Sequence, residues 1–357
     1  MEFMPQVTYR NRRAFSIENG DLRVTVLAEG GHVAQILHKA SGVNPLWTPP
    51  WPSIEPSSYS LARHPEYGAD SESKLLAGIM GHNLCMDIFG GPSPEEAAAG
   101  LTVHGEASIA PYQIEARDSE LIATAQLPEA QLKIERRIAL GRVVRFTETV
   151  ENLAACDRPI AWTQHVTLGP PFLAKGATEF RASLTRSQVY EPDSTGGAGY
   201  MQCGAGFTWP RVPHKNGGTV DMSVFTTEPV SSALTTHLVD PAREQAFFVA
   251  FSPQSRIAFG YAWRRADFPW LHVWEENHSR QSPPWNGRTL TRGMEFGVSP
   301  IPESRRSMID RGSLFGVPGY RWIPAKSRVA VEYCAFIGPA ASIPADVRTD
   351  NRDIRFG

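Results

Sequence analysis

Alternation with a period of two is the feature that most limits what this chain can become. Leu132, Ile134, Ile138 and Leu140 alternate with Lys133, Glu135 and Arg137, and after Gly141-Arg142 the residues Val144, Phe146 and Val150 alternate on the return. Successive side chains of an extended chain point to opposite faces, so this stretch specifies a hairpin with one buried face. Nearer the start, Leu22, Val24 and Val26 alternate with Arg23 and Thr25, Gly30-Gly31 supplies a turn, and residues 32–38 return as a strand. Strand signals recur at 247–251, 257–263, 271–274, 293–298 and 328–336. Helical periodicity is nearly absent; one short helix is expected at 93–99, where Ser93 offers an N-cap. The pattern predicts an all-β fold, a large antiparallel β-sandwich occupying residues 1–357 as a single domain, since no repeat, linker or charge run divides the chain.

Two stretches break the rhythm. Residues 44–78 are rich in Pro, Ser, Tyr and Trp, densest at Trp47-Thr48-Pro49-Pro50-Trp51-Pro52. A long ordered loop of this kind covers or lines a site, or wraps one end of the fold. Residues 193–218, rich in Gly and polar groups, read as loops.

Several function classes are disfavoured at once. With 41% apolar residues, 20% charged residues and a net charge of -2, the chain has a core but no basic footprint for nucleic acid. The four cysteines are too scattered for a disulfide framework or a structural zinc. No apolar run is long enough for a membrane span. The opening Met1-Glu2-Phe3-Met4-Pro5 lacks the charged and apolar regions of a signal peptide, so the cytoplasm is the expected location. There is no G-x-S-x-G elbow, and residues 197–202 lack the last glycine of a dinucleotide fingerprint.

Three polar residues stand out against this apolar pattern. In the strand at 293–298, Met294, Phe296 and Val298 form an apolar face, leaving Glu295 on the other face between Gly293 and Gly297. Glycines in a strand leave room for close approach, so a carboxylate between them is a candidate acid or base, or else an edge-strand Glu facing solvent. Residues 101–109 alternate with Val103, Ala107 and Ile109 on one face and Thr102, His104, Glu106 and Ser108 on the other. Residues 160–167 alternate likewise, with Ile160, Trp162 and Val166 opposed to His165 and its small or polar neighbours. Either histidine alone fits an ordinary structural role. Two histidines and a glutamate on polar strand faces together describe an acid–base site.

The same residues resemble motifs of the aldose 1-epimerase (galactose mutarotase-like) superfamily. Asn19-Gly20-Asp21-Leu22-Arg23-Val24 followed by Glu29-Gly30-Gly31-His32-Val33 is similar to the family's first hairpin. Val103-His104-Gly105 resembles its first His-Gly motif, Thr163-Gln164-His165-Val166 its Thr-Asn-His motif, and Gly293-Met294-Glu295-Phe296 its late Glu strand. The motifs follow the family's order over nearly the whole chain. Two departures accompany them: Gly81-His82-Asn83-Leu84 lacks the family's Arg after Asn, and Gln164 replaces Asn.

The resemblance implies the galactose mutarotase-like supersandwich fold and an isomerase acting on a small-molecule sugar without a cofactor or metal. It implies Glu295 as the base, His165 as the acid, and His104 and Asn83 as sugar contacts. Trp270, His272 and Trp274 share one parity on the preceding strand, so Trp274 could stack on a sugar or pack in the core. Glu275 and Glu276 could bind hydroxyls or form a solvated rim. Two rivals remain at this point. One is a cupin-like metal site, with His104-x-Glu106 and His165 as a two-His-one-carboxylate set. The other is a sugar-binding module without turnover. Which sugar binds, whether it is phosphorylated, and the oligomeric state stay open.

Overall fold

The computed structural model describes residues 6–191, 197–349 and 353–356; the opening residues 1–5, and 193–196 of the Gly-rich stretch, lie outside them. Among the described residues the chain is built almost entirely of antiparallel strands. A fourteen-stranded sheet faces an eight-stranded one. The helices are short: Ser73–Leu76, Pro94–Ala98 and Arg305–Arg311. The helix at 94–98 begins as expected, with Ser93 and Glu96 forming a reciprocal capping box. No described helix is long and apolar enough to cross a membrane.

The alternating segments fold as their periods require. Leu132–Leu140 pairs with Val144–Asn152, and Leu132, Ile134, Ile138, Phe146 and Val150 are all buried in the core between the sheets. Leu22–Leu27 and Val33–His38 pair across the Gly30-Gly31 turn. Met294, Phe296 and Val298 join the same core, where Phe296 stacks on Trp263 with ring centroids 4.3 Å apart. A polar knot sits within this apolar interior. Arg136 pairs with buried Glu148, which also accepts from Trp162 Nε1, Gln164 Nε2 and the Tyr333 hydroxyl. The carboxylate is thereby surrounded by donors, the condition for burying a charge.

In two places the structure departs from the sequence reading. Residues 101–109 do not form a strand. His104 and Gly105 take φ of 68° and 72°, which is incompatible with extended backbone. A Cβ at Gly105 would lie 2.1 Å from the Met86 carbonyl oxygen, so only glycine fits against the neighbouring strand. In the stretch expected to be loops, Gly206–Thr208 and Arg211–Pro213 are short strands that extend the edge of the large sheet.

Candidate active site

Five neighbouring strands of the large sheet carry the site: His82–Asp87, Arg158–Leu168, Leu290–Gly297, Trp270–Asn277 and Ser231–Val239, in that spatial order. Their registers align one polar residue from each into a row. Asn83 lies opposite His165, Glu295 opposite His272, and His272 opposite Thr236. Thr163 faces Gly297 and Thr167 faces Gly293, which places His165 directly across from Glu295. The apolar residues of the same strands point into the sandwich core, so this row lies on the other face of the sheet.

His165 Nε2 and Glu295 Oε1 are 3.1 Å apart. Their approach is not aligned for a full hydrogen bond from a ring N–H, and Oε1 has no other partner among the described residues. Both side chains are almost wholly buried. Burial disfavours the charged form of each group. It pushes the Glu295 carboxyl up to about 8 and, reinforced by nearby His104, drives His165 well below the usual histidine range. Burial thus favours the uncharged form of both groups, a protonated carboxyl beside a neutral imidazole. The Thr167 hydroxyl, 3.0 Å from His165 Nδ1, orients the ring.

The glycines flanking Glu295 have distinct uses. A Cβ at Gly293 would come 2.4 Å from Glu295 Oε1, and one at Gly297 would come 2.3 Å from Thr163 Oγ1. Gly293 therefore gives the carboxylate its position, while Gly297 lets two strands close up.

Above the pair opens a cavity of about 270 Å³ lined by His104, His165, Trp274 and Glu295. That is near the small end of the range for small-molecule sites and matches a monosaccharide better than an oligosaccharide. His104 reaches the cavity from its strained turn rather than from a strand. Its Nδ1 donates to the Phe89 carbonyl at 2.6 Å, which leaves Nε2 as an acceptor toward the cavity. Its ring lies 4.8 Å from that of His165. Trp274 is half-buried at the cavity wall, its ring 6.0 Å from His165.

Other expectations are corrected. Asn83 stands beside His165 in the row but does not line the cavity; it is fully buried, and neither amide atom has a partner among the described residues. Trp270 packs far down the same face against Phe315, and His272 lies beneath the site, donating from Nδ1 to the Glu295 carbonyl at 3.1 Å. Glu275 turns to the interior to pair with Arg292, and Glu276 accepts from the backbone of Ser279 and Arg280, so neither forms a sugar-binding rim. Glu106 does not line the cavity with His104 and His165; its carboxylate instead accepts from the Ala130 N–H. Among the described residues no group of three or more His, Cys, Asp or Glu could hold a metal.

The long Pro- and Trp-rich loop does line the site. Glu72, Leu75, Leu76 and Ile79 from its end form one wall. Trp47 and Trp51 pack with Trp285 behind it, and Trp285 also faces the cavity. Sequence reasoning missed Phe89, Tyr190, Arg280 and Trp285, which come from loops with no periodic signal.

No family model matches the chain, and no curated protein matches it in sequence. Solved structures do match in fold. A Klebsiella pneumoniae protein provisionally assigned as an aldose 1-epimerase superposes with a TM-score of 0.66 at 14% identity, over 92% of this chain and 79% of that one. A similarly assigned Escherichia coli K12 protein gives 0.61 at 12% identity over 91% and 99%. A galactose mutarotase-like protein from Lactobacillus casei gives 0.58 at 13% over 91% and 100%. At such identities the likeness is one of architecture, and by its architecture this chain has the galactose mutarotase-like β-sandwich fold.

Proposed function

We propose that the protein interconverts the α and β anomers of an aldose by acid–base ring opening. The supporting observation is the contact between Glu295 and His165 on the floor of a monosaccharide-sized cavity. Ring opening needs one group to take the proton of the anomeric hydroxyl and another to give a proton to the ring oxygen. The C1–O5 bond then breaks as the C1 carbonyl forms, rotation about C1–C2 turns the other carbonyl face to O5, and the ring closes with the proton transfers reversed.

A pair holding one proton serves both halves of this cycle, because whichever group donates on opening accepts on closing. The resemblance gives Glu295 the base role on opening. Burial, however, favours the protonated carboxyl of Glu295 and the neutral ring of His165. In the free protein, then, Glu295 is poised to protonate the ring oxygen and His165 to accept the hydroxyl proton. His104 Nε2 accepts from a sugar hydroxyl, and Trp274 packs on the sugar's C–H face. None of these steps uses a cofactor.

Saturation-transfer NMR across a panel of aldoses tests the proposal: exchange between anomer signals should accelerate in proportion to protein concentration. Sugar binding without acceleration would establish a binding module instead. Activity lost on chelation and restored by a metal would bring back the metal reading.

A further inference from the structure

Besides the acid–base pair the cavity has polar lining at Glu72, Tyr190, Ser232 and Arg280. One stretch of its wall is apolar, made by Leu75, Leu76, Ile79, Val103 and Trp285, and continuous with the tryptophan cluster beneath the long loop. The hydroxyl protons of two further lining groups are already committed, leaving those groups as acceptors only. The Tyr190 hydroxyl donates to the Pro302 carbonyl, and Ser232 Oγ to the Glu275 carbonyl at 3.1 Å.

Arg280 is the only cationic side chain among the lining residues, and it is neutralised. It meets both Glu72 carboxylate oxygens at 3.2 and 3.3 Å and lies 3.7 Å from Glu276. Its guanidinium carbon lies over Trp285, 4.7 Å from the ring centroid. Among the described residues, no other Lys or Arg faces the space where a phosphate or carboxylate would sit.

An ordinary hexose carries a hydroxyl on nearly every carbon. One pressed against this wall would lose its water without gaining a partner, a cost of the kind that governs buried polar groups. We propose that the substrate is a neutral deoxy-aldose, a sugar in which a methyl or methylene group replaces a hydroxyl and packs on the wall of Leu75, Leu76, Ile79, Val103 and Trp285. The proposal deepens the anomerase reading and rests on it for the identity of the ligand as a sugar.

The test compares matched neutral pairs: L-fucose with L-galactose, L-rhamnose with L-mannose, and 2-deoxy-D-glucose with D-glucose. Glucose 6-phosphate serves as the anionic control. Both anomer exchange and equilibrium binding are measured. An apolar wall discriminates against one added hydroxyl by roughly 10- to 100-fold, so the deoxy member of at least one pair should lead by that factor, and the phosphate should gain nothing. Val103→Thr, which puts a hydroxyl on the wall without changing its shape, should narrow the ratio. Equal or better performance of the hydroxylated sugar in every pair, an unchanged ratio in Val103→Thr, or preference for the phosphate would overturn the proposal. Exchange without the preference would remove this inference and keep the anomerase. The preference in binding without exchange would do the reverse. Binding of no sugar would remove both.

Discussion

Glu295→Gln separates the role of the carboxyl from its shape and has a consequence that can be read without any substrate. The Glu295 side chain ionises near 4.5 when exposed, but burial holds it protonated in the fold up to about 8. Between those values the unfolded chain has released a proton that the folded chain keeps. The stability associated with Glu295 is therefore fully present below 4.5 and drains away as pH rises to about 8, by about 1.4 kcal/mol per pH unit. Glutamine reproduces the protonated carboxyl and cannot ionise in either state. The variant should thus be more stable than the wild type by about 2 kcal/mol at pH 6 and about 3 kcal/mol at pH 7. Urea denaturation of both proteins at several pH values from 6 to 7.5 measures the gap. Activity should move the other way and fall by about 10²–10⁴, the usual contribution of a positioned acid or base. The wild-type rate should decline as pH rises through about 8, where the pair loses its one proton. A stability gap that stays flat with pH, or a variant less stable than the wild type, would refute the buried protonated carboxyl and the mechanism built on it.

Three further predictions follow from the same geometry. His165→Asn keeps a polar group but removes the titrating ring, and should lower anomer exchange by about 10²–10⁴ while leaving the far-UV spectrum of an all-β protein unchanged. Gly293→Ala brings a methyl carbon to 2.4 Å from Glu295 Oε1, which can swing aside, whereas Gly297→Ala also meets the Trp162 carbonyl at 2.8 Å; the first should lose activity at near wild-type stability, the second should cost about 1–3 kcal/mol. His32, His82, His165, His237 and His272 are all buried with pKa lowered chiefly by desolvation. The unfolded chain binds those protons below about 6.5, so stability should fall steeply and cooperatively on acidification below that pH, as followed by tryptophan fluorescence; a protein equally stable at pH 5 and 7 would exclude the neutral buried rings.

Much of the fold could be read from alternation, because it specifies which side of a strand meets the core. Met294, Phe296 and Val298 are buried as their parity required, and the hairpin from Leu132 to Val150 is in place. The same rule misplaced residues 101–109, an alternating stretch that folds as turns. Short alternation is weak against two consecutive left-handed residues, and the positive φ of His104 could not be seen in its side chain. His104 still reaches the cavity, for a reason the sequence did not supply: Gly105 lets the turn lean on the Met86 carbonyl. The pairing of strands was equally out of view. Parity put His165 and Glu295 each on a polar face, but only the sheet register sets residues 130 positions apart across from one another. The apolar wall was less legible still, since Trp285 and Arg280 come from a loop whose place depends on packing against Trp47 and Trp51.

What the sandwich needs for stability and what this face contains point in opposite directions. Asn83, His165, Glu295, His272 and Thr236 form an unbroken row across five strands, all buried. Both amide atoms of Asn83, Oε1 of Glu295, Nε2 of His272 and Oγ1 of Thr236 have no hydrogen-bond partner among the described residues. Each buried polar group without a partner costs about 1–3 kcal/mol, and apolar residues of the same size would remove that cost while keeping the strands paired. The polar knot around Glu148 on the opposite face shows that this fold can satisfy buried polar groups when structure is their only duty. Of this row only Glu295 and His165 line the cavity. Under the anomerase reading proposed above, a sugar would meet the open oxygen of Glu295, and the stabilisation expected for Glu295→Gln measures what the fold gives up to keep a carboxyl there.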